Sequence, residues 1–303
     1  MSQNKSIEQE LKERIDELKQ ELVQRDLELK RYRFELQKTN TQLEKFIVDM
    51  GQELKLAGLI QKLLSPTEIP NIPGIEFSTK FLPGMKSGGD YFDIFEHDDR
   101  LKFGIILSSS SGYTMSALFL SVLMKLSAQI EARRGMDPDK VISLMASEIV
   151  PHIQKQDTAS LFYGIVDRRN YELKYSSVGN IAGLLQVQGQ DQPSWLEPSA
   201  GQLKKDFNER PLAHTIPLGP RDRLILCTEG IWTAPSTAGE TFGKDRLVKT
   251  LIRAPRSGVH DLRNEILFQV EQFTQAQEPH RDQTVVVTEV KDKVIKLAKK
   301  SSL

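Results

Sequence analysis

The first 55 residues contain no proline and a single glycine, Gly51. They are rich in Glu, Lys, Leu, Gln and Arg, all good helix formers. Apolar side chains recur at alternating steps of four and three: Leu11, Ile15, Leu18, Leu22, then Leu29, Tyr32, Leu36, then Leu43, Phe46 and Met50. Arg25 and Thr39 fill the missed seam positions. A seam sustained over roughly five heptads predicts a coiled coil. The competing reading, one amphipathic helix lying on a domain, calls for a wider apolar stripe. A homodimer through residues 1–55 is the simplest outcome, with Arg25 in the seam fixing register and strand number.

The helical pattern continues through Leu54, Leu56, Ala57, Leu59, Ile60 and Leu63 and stops before Pro66. Residues 56–73 read as a connecting helix and a proline-rich linker. Residues 74–291 then read as one α+β domain, and the lysine-rich residues 292–303 as a basic tail. Strands are predicted at 75–81, 91–96, 101–107, 160–166, 171–176, 182–187, 223–227 and 285–290, from period-two alternation or short apolar runs. Helices are predicted at about 114–133, 138–155, 243–253 and 258–275, with a polar loop over 188–210. Groups of strands joined by hairpin-length turns and separated by helix pairs fit layered antiparallel sheets, not a doubly wound parallel one.

The chain carries 41 basic and 41 acidic residues, so formal net charge is zero. This gives no whole-chain attraction to nucleic acid. Its one cysteine, Cys227, lies in an apolar run and reads as a buried structural thiol. No apolar run is long enough to span a bilayer, and the N-terminus lacks a signal-peptide core, so a cytoplasmic protein is expected.

Three short strings stand at strand ends: SGGDYFD at 87–93, LCTEGIW at 226–232 and RDQTVVV at 281–287. A fourth, LSSSSGY at 107–113, falls where an apolar strand gives way to a helix, and it carries only hydroxyls. Taken with LAGLIQKLLSP at 56–66 and ETFGKDRL at 240–247, the order and spacing resemble the SpoIIE/RsbU-type branch of the PPM (PP2C-like) serine/threonine phosphatases. The resemblance covers about residues 56–290. It implies a PP2C-like αββα sandwich: two antiparallel sheets flanked by helix pairs.

That family hydrolyses phosphoserine and phosphothreonine with two Mn²⁺ or Mg²⁺ ions held by aspartates, a bridging water attacking phosphorus. The resemblance places Asp90, Asp93, Glu229 and Asp282 at a remnant metal site. It also puts Ser109 where the family keeps its bridging aspartate, Asn180 where it keeps a histidine, and Arg281 where it keeps another aspartate. Hard cations demand anionic oxygens. A hydroxyl is a poor ligand, and Arg281 sets a permanent cation where an ion would sit. Like charges a few ångströms apart in a poorly solvated pocket disfavour each other by several kcal/mol. No bound metal is therefore expected. Arg281 is expected to stand in for the metal by pairing with Glu229, Asp90 or Asp282.

The first functional expectation is a pseudophosphatase that binds a protein partner, such as a phosphoserine-bearing regulator, without hydrolysing it. The alternatives are an active or weakly active phosphatase built on Asp90, Asp93 and Glu229, and a coiled-coil structural scaffold.

Overall fold

The computed structural model describes residues 14, 18–45, 68–85, 89–111, 114–132, 135–254 and 258–291. Residues 1–56 and 57–303 form two separate units. In the first, helix α1 runs over residues 18–45. Its seam side chains face solvent: Leu22, Tyr32 and Leu36 are each about two thirds exposed or more. Ion pairs one turn apart lie along the same helix: Arg25, in the seam, meets Glu21 at 2.9 Å, and Lys30 meets Asp26 at 3.0 Å. The expected helix over 54–63 and the basic tail lie outside the described residues.

The second unit is a four-layer sandwich. In chain order it comprises β1 (Ile75–Leu82), β2 (Gly89–Glu96), β3 (Lys102–Ser111), α2 (Thr114–Glu131), α3 (Pro138–Ile149), β4 (Thr158–Asp167), β5 (Glu172–Val178), β6 (Ala182–Gln186), β7 (Ser194–Leu196), β8 (His214–Pro217), β9 (Arg223–Cys227), α4 (Glu229–Trp232), α5 (Gly243–Arg253), α6 (Val259–Thr274) and β10 (Gln283–Val290). One sheet has the order β1-β10-β9-β6-β7, the other β2-β3-β4-β5-β8. Their ladders are antiparallel.

Alternation sorts the apolar side chains into three layers of core. Ile75, Phe92, Ile94, Ile105, Leu107, Phe162, Leu226 and Val286 fill the space between the sheets. Tyr91, Ile106, Leu120, Met124, Val141 and Met145 join the second sheet to α2 and α3. Ile225, Leu247, Leu251, Leu262, Ile266 and Val287 join the first sheet to α5 and α6. Each fully buried side chain of this kind stabilises by roughly 1.5–3 kcal/mol. Strands β9 and β10 are buried along their whole length, which is why residues 224–227 and 285–287 are apolar without a break.

Three sequence expectations are corrected. Strand β3 does not end at Leu107 but runs on through all four serines, because each of Ser108 to Ser111 has a ladder partner on β4. Pairing on both sides overrides the weak strand propensity of serine. The region 188–210 is not all loop, since β7 forms there, and β8 was not anticipated; both are short edge strands. Helix α3 ends at Ile149, where a 3₁₀ turn, Val150–His152, carries the chain past Pro151. Among the described residues no helix is long and apolar enough to cross a membrane.

Candidate functional site

The acidic residues singled out in the sequence meet where β2 starts, β9 ends and β10 starts. Asp90 is buried, and its Oδ2 accepts hydrogen bonds from Thr228 Oγ1 at 2.6 Å and Thr284 Oγ1 at 2.8 Å. Asp282 is also buried; its Oδ1 accepts from the Gly84 amide at 2.8 Å and its Oδ2 from the Asp90 amide at 3.3 Å. Burial, and then the neighbouring Asp282 charge, push the Asp90 carboxyl up to about 7, against the hydroxyls of Thr228, Ser109 and Thr284. Thr228 and Thr284 also bond each other's backbone, which ties the end of β9 to the start of β10. Neither threonine was singled out from sequence. The signal was there: one precedes Glu229 in LCTEGIW and the other follows Asp282 in RDQT.

Beside this buried pair lies a more open one. Glu229 opens α4, and its Oε2 accepts from Arg281 Nη1 at 3.2 Å. Its Oε1 accepts from Asn180 Nδ2 at 3.3 Å. Asn180, which had no role in the sequence reading, thus holds the other oxygen of the same carboxylate. It follows Gly179, whose φ of 81° turns the chain at the end of β5, and its amide is held by Ser160 Oγ at 3.0 Å.

The serine string divides by strand parity. Ser109 pairs with Asp90 across the β2–β3 ladder and with Ser160 on β4, so it shares Asp90's face of the sheet. Ser108 and Ser110 point the other way, toward α2. There Ser110 Oγ meets the Ala117 carbonyl at 2.6 Å and Ser121 Oγ at 2.9 Å, and Ser121 Oγ donates to the Gly89 carbonyl at 2.5 Å. A Cβ on Gly89 would stand 1.7 Å from Ser121 Oγ. Glycine is needed there so that β2 and α2 can approach.

Asp93 is not brought to the site. Three residues along β2 from Asp90, it lies on the opposite face, where its carboxylate meets the Tyr91 hydroxyl at 3.2 Å and its own neighbour's amide, Ile94, at 2.9 Å. Cys227 is fully buried, and burial pushes its thiol up to about 12, as expected of a structural thiol.

The residues present do not fit a two-ion centre. Divalent ions of this class need several anionic oxygens converging on one point. Among the described residues no group of three or more His, Cys, Asp or Glu side chains is arranged to hold an ion. Glu229 is directed at Arg281 and Asn180, Ser109 offers a neutral hydroxyl, and Arg281 brings a cation within 3.2 Å of the carboxylate. The buried Oδ1 of Asp90 has no hydrogen-bond partner among the described residues, and an anionic oxygen of this kind suits a cation.

The sandwich resembles several solved phosphatase structures. With the SiaA-PP2C domain of Pseudomonas aeruginosa it shares 18% identity at a TM-score of 0.66, over 80% of this chain and 97% of that one. With the RsbU and RsbW domains of Rv1364c from Mycobacterium tuberculosis the values are 17% and 0.61, over 74% and 63%. With the PP2C domain and regulatory-domain fragment of SpoIIE from Bacillus subtilis they are 20% and 0.57, over 74% and 64%. In sequence, the chain is 24% identical over 227 residues to Protein IcfG of Synechocystis, covering 66% of this chain and 35% of that protein. It therefore spans about a third of that relative's length. The family model for Stage II sporulation protein E (SpoIIE) matches residues 99–291. The chain belongs to the SpoIIE family, with the fold of a PPM (PP2C-like) signalling phosphatase.

Proposed function

We propose that this SpoIIE-family chain is a pseudophosphatase: it engages a phosphoserine-bearing regulatory protein and does not hydrolyse it. The observation that carries this reading is the Asn180–Glu229–Arg281 arrangement. A guanidinium satisfies a carboxylate at the place where the family resemblance puts metal ligands, and an amide holds the other oxygen. Charge balance at the site is then internal. The carboxylates of Asp90 and Asp282 are held by protein hydroxyls and amides. Residues 1–55 pair two copies of the chain through the exposed α1 seam, and the setting is bacterial signalling in the cytoplasm, with no nucleic-acid partner.

Asp90 Oδ1, buried and unpartnered among the described residues, favours the second reading, a weakly active metal-dependent phosphatase. Turnover of a phosphoserine peptide in Mn²⁺ separates the two. The pseudophosphatase reading expects no hydrolysis above that of Asp90→Asn. Hydrolysis that is metal-dependent and lost in Asp90→Asn would establish the enzyme. Pull-down of the phosphorylated regulator with and without residues 1–55 separates a partner-binding protein from a scaffold that holds only itself.

A further inference from the structure

On the outer side of the first sheet, away from the site, α5 and α6 border a groove of about 520 Å³. Three cations line it: Arg246, Lys249 and Arg253, set at steps of three and four along α5. Glu265 of α6 is the single acid in the lining, and its Oε1 accepts from Gln269 Nε2 at 2.9 Å. The chain as a whole is neutral, so this excess of positive charge is local. Arg246 is fixed in place and already paired: its Nη1 donates to the carbonyls of Thr241 at 2.9 Å and Phe242 at 3.0 Å, its Nη2 donates to Glu240 Oε2 at 3.4 Å, and its guanidinium lies 4.6 Å from the centre of the Phe273 ring. Lys249 and Arg253 are exposed, and neither has a hydrogen-bond or ion-pair partner among the described residues.

We propose that this groove binds an extended acidic peptide segment of a protein partner. The helical rise sets Lys249 and Arg253 about 6 Å apart along the axis, close to the distance between residues i and i+2 of an extended chain. Acidic side chains two residues apart share one face of such a chain and can therefore meet both Lys249 and Arg253. Arginines of this kind clamp carboxylates bidentately. Apolar side chains flank the cations: Ile252, on the turn after Lys249, is 40% exposed, and Phe268, on the turn after Glu265, is 50% exposed. A peptide that alternates acidic and apolar residues matches both features.

Single-stranded nucleic acid fits less well. Sequence-tolerant binding of bases rests on open aromatic faces. Of the aromatic rings in the groove's lining, Phe273 is covered by Arg246 and Phe242 is buried with its ring edge-on to Phe273, so Phe268, on the margin, offers a single open ring and no row of stacking faces. The groove lies outside the Asp90–Arg281 site, so its occupancy does not depend on whether that site hydrolyses anything.

The test is a fluorescence-polarisation titration of the full chain. The probe is a short labelled peptide with two aspartates two residues apart and a leucine between them. Saturable binding of this peptide is expected, with none for the same peptide carrying asparagines. Lys249→Glu/Arg253→Glu should weaken it at least about tenfold, which is 1.4 kcal/mol. The same charge change at two exposed lysines elsewhere, Lys204→Glu/Lys205→Glu, should leave it unchanged. Binding should also weaken with added salt. The proposal is overturned if the wild-type chain does not bind, if both double variants lose binding equally, or if an oligothymidylate of equal charge binds more tightly than the peptide.

Discussion

Arg281 Nη1 lies 3.2 Å from Glu229 Oε2, joining a residue just ahead of β10 to the first residue of α4. The two side chains are 43% and 22% exposed, so solvent screens their attraction. A pair this open contributes about 0–1 kcal/mol to stability. Arg281→Ala should therefore shift the urea-unfolding free energy by less than about 1 kcal/mol. A loss of several kcal/mol would mean that the arginine is a structural strut.

Gly230 controls the same junction. A Cβ there would stand 2.0 Å from the Asp282 carbonyl oxygen. In an isolated helix, glycine to alanine is stabilising. Here the sign should reverse: Gly230→Ala forces the 281–282 backbone away and should destabilise by about 1–3 kcal/mol, as overpacking does. Thermal unfolding of the purified variant measures it, and an unchanged or raised midpoint would contradict the packing described.

Acid sensitivity should come in part from the opposite end of β10. Arg223 Nε donates to Glu289 Oε2 at 2.6 Å with both side chains almost fully buried, and Lys291 Nζ reaches Oε1 at 3.0 Å. Burial alone would raise the Glu289 carboxyl, but the bonds from Arg223 and Lys291 outweigh it and hold it below its ordinary 4.5. The folded value is the lower one, so the stabilisation is present above pH 4.5 and is lost as pH falls through the folded value. Glu289→Gln should flatten that acid limb of stability against pH. At neutral pH it should cost about 3–5 kcal/mol, because Arg223 stays buried without its counter-charge. An unchanged acid limb in urea titrations across pH would contradict this.

The α1 seam gives a prediction about assembly. Leu29 and Leu36 are 53% and 74% exposed, and a stripe of this kind is expected to be covered by a second copy. Sedimentation equilibrium should give a dimer for the wild-type chain and a monomer for Leu29→Glu/Leu36→Glu. A wild-type monomer would rule out the coiled-coil pairing.

Much of the fold was legible because its strands carry a clear signal. Tyr171 to Ser176 alternates, and Val285 to Val287 is a short unbroken apolar run, as the middle of a strand buried on both faces should be. The edge strands β7 and β8, SWL and HTIP, are too short to show any period. The reach of β3 through Ser111 was hidden because serine hydroxyls suit a turn as well as a strand. Only pairing with β4 and the bonds to α2 decide between them. In the site, motif order located Asp90, Glu229, Arg281 and Asp282. Parity alone separates Asp90 from Asp93, since two residues three apart on a strand cannot share a face. Thr228 and Thr284 escaped notice because a neutral hydroxyl beside an acid has many ordinary roles. Their function depends on β9 and β10 lying side by side, which local sequence does not encode.

The central claim is that Ser109 and Arg281 remove the charge that two divalent ions need. It is tested most directly by calorimetric titration of Mn²⁺ into the wild-type chain and into Ser109→Asp/Arg281→Asp. The account predicts no tight binding to the wild-type protein and a measurable gain in the double variant, where two carboxylates join Asp90 and Asp282. Tight Mn²⁺ binding by the wild-type chain, with Arg281 in place, would contradict it.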